Sequence, residues 1–390
     1  MLLKSECKGM HFFLFCQIFC KLFSKFLVFL LPVCNKMLIF AYILIYITTY
    51  TYIMTRATKT LFILAIALAV AAVSSLFVGP VHIPAHSIVD ILLGHEAADA
   101  GEAWRFIVLQ TRLPQTLTAV LCGSALSVCG LLLQNLFRNP LADPSVFGIS
   151  SGAALGVAVV MLLMGGSGAV ADLAGMGAVV AGAFVGAMVV TLVVYGCALV
   201  VRSRVALLII GLMIGYLASS AITLLNYFAT ENGVKQFLVW GMGSFVSVSP
   251  TQLPWLAVAV LVPLLLAFTL VKRLDIMLLG YAYAQSLGVS VPRVRRMVLL
   301  LTGFLTAVTT AFCGPIAFIG LAVPHLARMA VRTDAHLCLM PASLLMGALV
   351  AVLCQIGCSV PGAGGVLPIN AVTPLVGAPV VLYVILHDKK

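Results

Sequence analysis

The most constraining feature of the sequence is a series of apolar runs that follow one another from residue 61 almost to the C-terminal end. A helix needs about 20 mostly apolar residues to cross a bilayer. Inside a bilayer every backbone N–H and C=O must find a partner within the protein, so such runs form helices. We therefore predict an all-α polytopic membrane protein with about ten transmembrane helices, near residues 61–79, 113–136, 146–164, 174–201, 205–228, 254–271, 297–313, 316–331, 338–358 and 369–386.

The distribution of charge predicts how these helices are oriented. Only 8% of the residues are charged, against about 25% in soluble proteins. The net charge of +11 is therefore interpreted through topology, because Lys and Arg collect on the cytoplasmic side, and not as a nucleic-acid surface. With both termini in the cytoplasm, the outer segments carry only three basic residues, Arg105, Arg112 and Lys235. The other basic residues after Met54 then all face inward, at positions 56, 59, 138, 202, 204, 272, 273, 293, 295, 296, 328, 332, 389 and 390.

The first 54 residues differ in composition from the rest of the chain. They are rich in Phe, Tyr, Ile, Cys and Lys, and Gly9 and Ala41 are their only glycine and alanine. The later spans consist mainly of Ala, Val, Leu and Gly. Two interpretations stay open, namely extra membrane or targeting segments, or upstream sequence in front of a true start at Met54. We therefore divide the chain into an N-terminal hydrophobic extension, 1–54, and a membrane domain, 55–390.

One apolar segment, residues 112–156, is interrupted by a polar turn. A helix that begins at Arg112 breaks at Arg138-Asn139-Pro140 and resumes after Pro144. Proline fixes its own φ and holds the preceding residue in extended geometry, so the helix cannot continue through this point. The backbone groups that the break frees must bond inside the protein or at a water boundary. The sequence therefore predicts an elbow at the cytoplasmic surface.

Glycines four residues apart recur along the spans, at 152/156, 182/186 and 211/215. A GxxxG pair lets two helix backbones approach closely where lipid removes the hydrophobic drive. Helix packing is the first interpretation of each pair. The second concerns a smooth, mildly polar passage for a bulky solute, lined by Gly211, Gly215, Ser219 and Ser220.

The longest polar stretch between the spans is residues 272–296, which basic clusters bound on both sides. Its pattern predicts a short helix over 275–287, closed by Gly288. It is either an amphipathic linker at the lipid surface or a docking helix that receives force from a partner. In the second case Gly280, Ala284 and Gly288 would form a flat face for that partner.

Four motifs, in order along the chain, carry a resemblance to a known family. The first runs from RLPQ at residue 112 to RNPLADPSVFGISSGAALG, which ends at 156. The others are WGMGS at 240–244, LGYAYAQSLGVSVPRVRR at 279–296 and GPIAFIGLAVPHLAR at 314–328, with a looser match in LPINAVTPLVGAPVVLYVIL at 367–386. Together they resemble the permease subunits of type II ABC importers, which take up iron chelates, haem and cobalamin. The resemblance covers about residues 61–386.

The resemblance implies an ABC importer permease domain over 55–390 that works as a homodimer in the inner membrane. Two ATP-binding subunits would lie beneath it, and a periplasmic substrate-binding protein would dock outside. The chain would contact membrane lipid but no nucleic acid. It would be a transport subunit and not an enzyme, without a cofactor of its own, because it has no GxxxxGK[ST] phosphate loop. ATP and Mg²⁺ would bind to the partner ATPase subunits.

The motifs assign roles to individual residues. Coupling to the ATPase would fall to Tyr281, Ala284, Gln285, Ser286, Leu287, Gly288 and Val289. Docking of the binding protein would use Arg112, Gln115 and Ser359. The last two are neutral where the family often has arginine, so docking would rely on fewer charges. Structural roles would fall to Asn139, Pro140, Pro144, Gly314, Pro315, Pro324 and His325.

The cargo implied by the resemblance is a metal chelate. An iron chelate, siderophore or haem, is the first expectation, and cobalamin is the alternative. We predict no metal site in the chain, since Pro84 breaks the helical spacing of His82 and His86. The rival class is an ion-coupled secondary transporter. Such proteins place ionisable residues near mid-bilayer in broken helices, whereas the charges here lie at the span ends.

Overall fold

The computed structural model describes residues 36–93, 102–164, 175–201, 203–359 and 366–387. In this part of the chain the secondary structure is helical throughout, without strands. The helices, numbered in chain order, are α1 Lys36–Phe77, α2 Ala85–Leu93, α3 Glu102–Phe137, α4 Ile149–Ala158, α5 Gly175–Val200, α6 Arg204–Phe228, α7 Glu231–Gly241, α8 Leu253–Phe268, α9 Val271–Leu278, α10 Tyr281–Ser286, α11 Val291–Cys313, α12 Ile319–Val331, α13 His336–Ser359 and α14 Ile369–His387.

The predicted all-α polytopic fold is confirmed. Within the described ranges, six helices are long and apolar enough to cross a membrane, and the bent pair α8–α9 gives a seventh. Three shorter apolar helices account for the remaining predicted runs, at Ile149–Leu162, Ile319–Val331 and Ile369–Val384. Each of the ten apolar runs thus corresponds to a helix. Residues 1–35 of the predicted extension lie outside the described residues, and α1 continues without a break past Met54.

Helix α3 lies at the centre of the bundle. In its most apolar stretch 83% of the residues are buried, against 17% in α6 at the periphery. It packs against α8, α11, α12 and α13. Two glycines of α3 permit this crowding, because a Cβ on Gly130 would lie 1.8 Å from the carbonyl oxygen of Gly320 in α12. A Cβ on Gly123 would lie 2.3 Å from that of Gly347 in α13.

Two of the three glycine pairs hold α4 against α5. A Cβ on Gly156 would lie 2.0 Å from the carbonyl oxygen of Gly182, and one on Gly186 would lie 2.1 Å from that of Gly152. The interpretation of these pairs as packing positions is therefore confirmed. Dispersion contacts between closely approaching backbones replace the hydrophobic drive that lipid removes.

The predicted helix over 275–287 is wrong in one respect, because the structure divides it at Gly280. Helix α9 leaves α8 at a bend of 51° and ends at Leu278. Gly280 then adopts φ +121°, a conformation that residues with a Cβ rarely adopt. The chain turns there and begins α10. We call α9 and α10 together the coupling segment, residues 271–286.

Candidate functional site

The candidate site is built around the last turn of α3, where the predicted break occurs. The helix ends in a left-handed cap, in which Arg138 has φ 48° and its N–H donates to the Asn135 oxygen at 3.2 Å. The Asn139 N–H donates to the Gln134 oxygen, also at 3.2 Å. These two bonds are those of a Schellman motif. Each residue from Gln134 to Arg138 contacts a different part of the molecule, so this turn is a junction.

Arg138 joins the junction to the coupling segment. Its Nη2 donates to the carbonyl oxygens of Met277 at 2.7 Å and Leu278 at 3.2 Å. These are the terminal carbonyls of α9, which have no partner inside the helix. A cation at a helix C-terminus is also favoured by the helix dipole. The guanidinium of Arg138 therefore fixes the end of α9 against α3.

Tyr281, the first residue of α10, makes a second connection to the same turn. Its hydroxyl donates to the carbonyl oxygen of Leu136. Two guanidinium groups lie over its ring, with the Cζ of Arg204 at 4.3 Å from the ring centroid and that of Arg138 at 5.4 Å. Burial raises the pKa of Tyr281, although the charges of Arg204 and Arg138 act in the opposite direction. The phenol is therefore neutral near pH 7 and remains a donor.

The rest of α10 presents a small exposed surface at the same end of the bundle. Gln285, Ser286, Leu287 and Gly288 are exposed and Val289 is half-buried, while the Val289 N–H closes the turn on the Ala284 oxygen at 2.9 Å. Ala284 itself is fully buried. The predicted flat face is therefore wrong. Gly280 interrupts the helix and Ala284 points inward, so the two cannot share an accessible surface with Gly288.

A chain of hydrogen bonds connects α9, α13 and α3. The Asp275 carboxylate accepts from both the backbone N–H of His336, at 2.8 Å, and its Nδ1, at 2.7 Å. The Nε2 of His336 lies 2.7 Å from the Nδ2 of Asn135. Because a carboxylate only accepts, the imidazole carries its proton on Nδ1 and accepts from Asn135 on Nε2. His336 and Asn135 are both buried.

The elbow itself is held by α12. The Nε2 of His325 lies 2.9 Å from the carbonyl oxygen of Pro140. Gln134 donates to the Leu321 oxygen at 3.1 Å and accepts from Arg328 at 2.8 Å. An open cavity of about 310 Å³ lies beside these groups, lined by Gln134, Asn135, Arg138, Leu278, Arg328, Asp334, His336 and Leu339.

Asn139, Asp143 and Pro144 shape the path of the elbow into α4. The Asn139 side chain accepts from the Leu141 N–H at 2.9 Å. Asp143 caps the short 3-10 turn Pro144–Phe147 by accepting from the Ser145 N–H at 3.1 Å. Burial raises the pKa of Asp143, and the two bonds from Ser145 lower it by less. The bonds from Ser145 therefore offset only part of the hydration that the carboxylate loses on burial.

Three of the family motifs meet at a second junction. Gly314 follows α11, and a Cβ there would lie 2.5 Å from the Trp240 oxygen. The Ser244 N–H donates to the Cys313 oxygen at 2.8 Å. Asn370, from the C-terminal motif, donates to the Pro315 oxygen at 2.6 Å and accepts from the Ala317 N–H at 3.2 Å. Pro324 is buried within α12.

Arg112, predicted to dock the binding protein, is buried instead. Its guanidinium donates to the carbonyl oxygens of Leu76 at 2.7 Å and Val81 at 2.5 Å, and only 4% of the residue is exposed. The side chain therefore caps α1, where a cation is favourable, and the docking role of Arg112 stays a prediction. Gln115 and Ser359 are half-buried, and the Ser359 hydroxyl donates to the Gln355 oxygen at 3.1 Å. Their docking role stays a prediction.

The glycines predicted to line a passage pack against the elbow. Gly211 and Gly215 are buried. A Cβ on Gly211 would lie 2.9 Å from the Cα of Phe147, so this glycine makes room for the 3-10 turn. Their predicted role in lining a passage stays a prediction. Ser219 and Ser220 are exposed about one turn beyond Gly215 in α6, and their role stays a prediction.

Four residues of the site were not singled out from the sequence, namely Gln134, Asn135, Asp275 and His336. Asn135 and His336 are 201 residues apart, and no local pattern relates them. The available signal was a run of polar side chains, Gln134 and Asn135, inside an apolar span. Such groups must find a partner when they are buried.

Comparison with known proteins places this architecture in a family. Residues 63–387 match the model of the FecCD transport family. Over 303 residues the chain is 34% identical to the vitamin B12 import system permease proteins BtuC of Salmonella paratyphi A and Salmonella typhi, covering 75% of this chain and 90% of each relative. A metal-chelate type ABC transporter, solved in an inward-facing conformation, superposes with a TM-score of 0.73 at 29% identity, over 85% of this chain and all of that chain. The chain therefore belongs to the FecCD transport family and is a multi-pass permease subunit of an ABC importer in the inner membrane.

Proposed function

We propose that this chain is the permease subunit of a cobalamin importer. The observation that carries the proposal is the 34% identity, over 90% of their length, to relatives named as vitamin B12 import permeases. The first expectation from the sequence was an iron chelate, and these relatives favour its alternative. The similarity to a metal-chelate type transporter agrees with either chelate and excludes neither.

The proposed assembly contains two copies of this chain, two ATP-binding subunits and a periplasmic binding protein. The sequence supports a separate ATPase because it has no phosphate loop. The proposed contact with that ATPase is the exposed tip of the coupling region, residues 285–288, which is the end of α10 and the turn after it. Force on this tip would reach the last turn of α3 by two hydrogen bonds. Tyr281 of α10 donates to the Leu136 oxygen, and Arg138 at the end of α3 donates to the Met277 oxygen of α9.

Transport of defined chelates tests the cargo. The permease and its ATPase would be placed in proteoliposomes that contain ATP, with the binding protein outside, and labelled cobalamin, a ferric siderophore and haem would be offered in turn. We expect ATP-dependent uptake of cobalamin only. Uptake of an iron chelate without cobalamin would overturn the cargo. Uptake that survives an inactive ATPase and collapses with the ion gradient would overturn the importer class.

A single substitution tests the contact with the ATPase. Leu287 is 52% exposed at the tip of α10, and Leu287→Asp places a charge there without disturbing the interior. We expect the ATPase to be lost on co-purification, because charge is depleted at the core of protein interfaces. Leu287→Met is the matched control and retains the ATPase. Full retention of the ATPase by the Asp variant would contradict the proposed contact.

A further inference from the structure

The bonds that hold the coupling segment go to two different helices. Arg138 and Tyr281 attach it to the end of α3. Asp275 attaches it to the start of α13, through the backbone N–H and the Nδ1 of His336. His336 then returns to α3 through Asn135. The three helices are thereby connected at one point by an unbroken series of side chains.

The burial of these groups makes the series sensitive to position. The side chain of His336 is 2% exposed, against 20% for that of Asp275. Loss of either partner would cost this largely buried imidazole a hydrogen bond. Movement of α9 away from α13 would therefore break both bonds between Asp275 and His336. The favourable response is for α13 and the end of α3 to move with α9.

We infer that Asp275, His336 and Asn135 form a positioning chain that transmits movement of the coupling segment to α13 and α3 together. The inference rests on the proposed contact between α10 and an ATPase. It assigns a role to three side chains outside the exposed tip. The inference also explains why the Asp275 carboxylate lies beside the first turn of the 24-residue helix α13. This one carboxylate both caps α13 and orients the His336 imidazole.

Three substitutions separate transmission from simple capping. Asp275→Ala removes both the cap and the chain. His336→Ala and Asn135→Ala break the chain but leave the backbone N–H of residue 336 free to bond Asp275. A residue that only caps α13 would make the first variant defective and leave the other two normal. Lys272→Ala is the control, because it removes an exposed charged side chain from the same helix, α9, and leaves the three residues of the chain unchanged.

The measurement is the amount of cobalamin imported per ATP hydrolysed in the reconstituted complex. Co-purification with the ATPase and the melting temperature in detergent are recorded for each variant. We expect the three chain variants to keep the ATPase and to lose about 2- to 30-fold in import per ATP, the range found for substitutions along a coupled network. The Asp275→Ala/His336→Ala double variant should be no worse than the more defective single variant, because the groups act as one unit.

A conservative variant guards against loss of folding. His336→Asn keeps an amide N–H where Nδ1 stood but has no atom in place of Nε2, so it breaks only the bond to Asn135. We expect the same loss of coupling from a normally stable protein. Unchanged import per ATP in both His336→Asn and Asn135→Ala would overturn the positioning chain. A wild-type complex that shows no ATP-driven uptake would instead overturn the proposed function.

Discussion

At the scale of single residues, the end of α3 is costly to build and is stabilised by its side chains. Arg138 and Arg332 both have positive φ, at the ends of α3 and α12. This conformation costs a residue with a Cβ about 1–2 kcal/mol. At Arg138 the two bonds from the guanidinium to α9 offset the cost. A glycine would relieve the backbone and lose that connection, so arginine serves the junction better.

Asp143 gives a prediction at this scale. Because burial raises its pKa in the folded protein, its contribution to stability is full below the ordinary value of 3.8 and is lost as pH rises through the folded value. Asp143→Asn keeps a good cap without the ionisation. We expect the melting temperature of the wild type to fall, relative to that of the variant, as pH rises above 3.8, measured in detergent. Parallel pH profiles would contradict this.

At the scale of helices, the sequence predicted which segments are helical better than it predicted where each helix ends or which helices pack together. Every apolar run became a helix because length and hydrophobicity are local properties. The break after Phe137 was also predictable, since proline acts on its own neighbours. The division at Gly280 was missed because a glycine within a helical pattern does not reveal its φ. The burial of Ala284 depended on α9 and α11, which pack against α10, and that of Arg112 depended on α1; no local pattern reveals either packing.

The contact between α3 and α12 gives a prediction at the scale of elements. Gly130→Ala would place a Cβ 1.8 Å from the Gly320 oxygen, so the helices must separate. We expect a loss of about 1–3 kcal/mol of stability, as for other overpacked interiors, measured by unfolding in mixed micelles. The control is Gly196→Ala in α5, where a Cβ meets nothing within 4 Å. Equal stabilities for the two variants would refute the close approach.

At the scale of the whole molecule, a single helix organises the others. α3 is the second apolar helix from the N-terminal side of the membrane domain, yet its partners include α11, α12 and α13 near the other end. The ten spans and the balance of Lys and Arg were legible in the sequence. The centre of the bundle was not, because burial of α3 depends on small residues distributed over α3, α12 and α13. Composition alone does not distinguish a central span from a peripheral one such as α6.

The orientation of the bundle is a prediction at the same scale. Lys235 in α7 and Arg293 in α11 are both exposed and belong to opposite sides in the charge pattern. In intact cells we expect a membrane-impermeant maleimide to label Lys235→Cys, and to label Arg293→Cys only after permeabilisation. The background is low in the described part of the chain, where the free cysteines are buried or half-buried. The reverse labelling would invert the topology.

The central position of α3 also governs the order in which the protein can mature. Gln134 and Asn135 bond to residues 187 and 201 positions later. At about 5–20 residues per second of synthesis, a ribosome needs some tens of seconds to deliver those partners. During that time the last turn of α3 waits with its amides unmatched. A chain truncated before α12 lacks both of these partners.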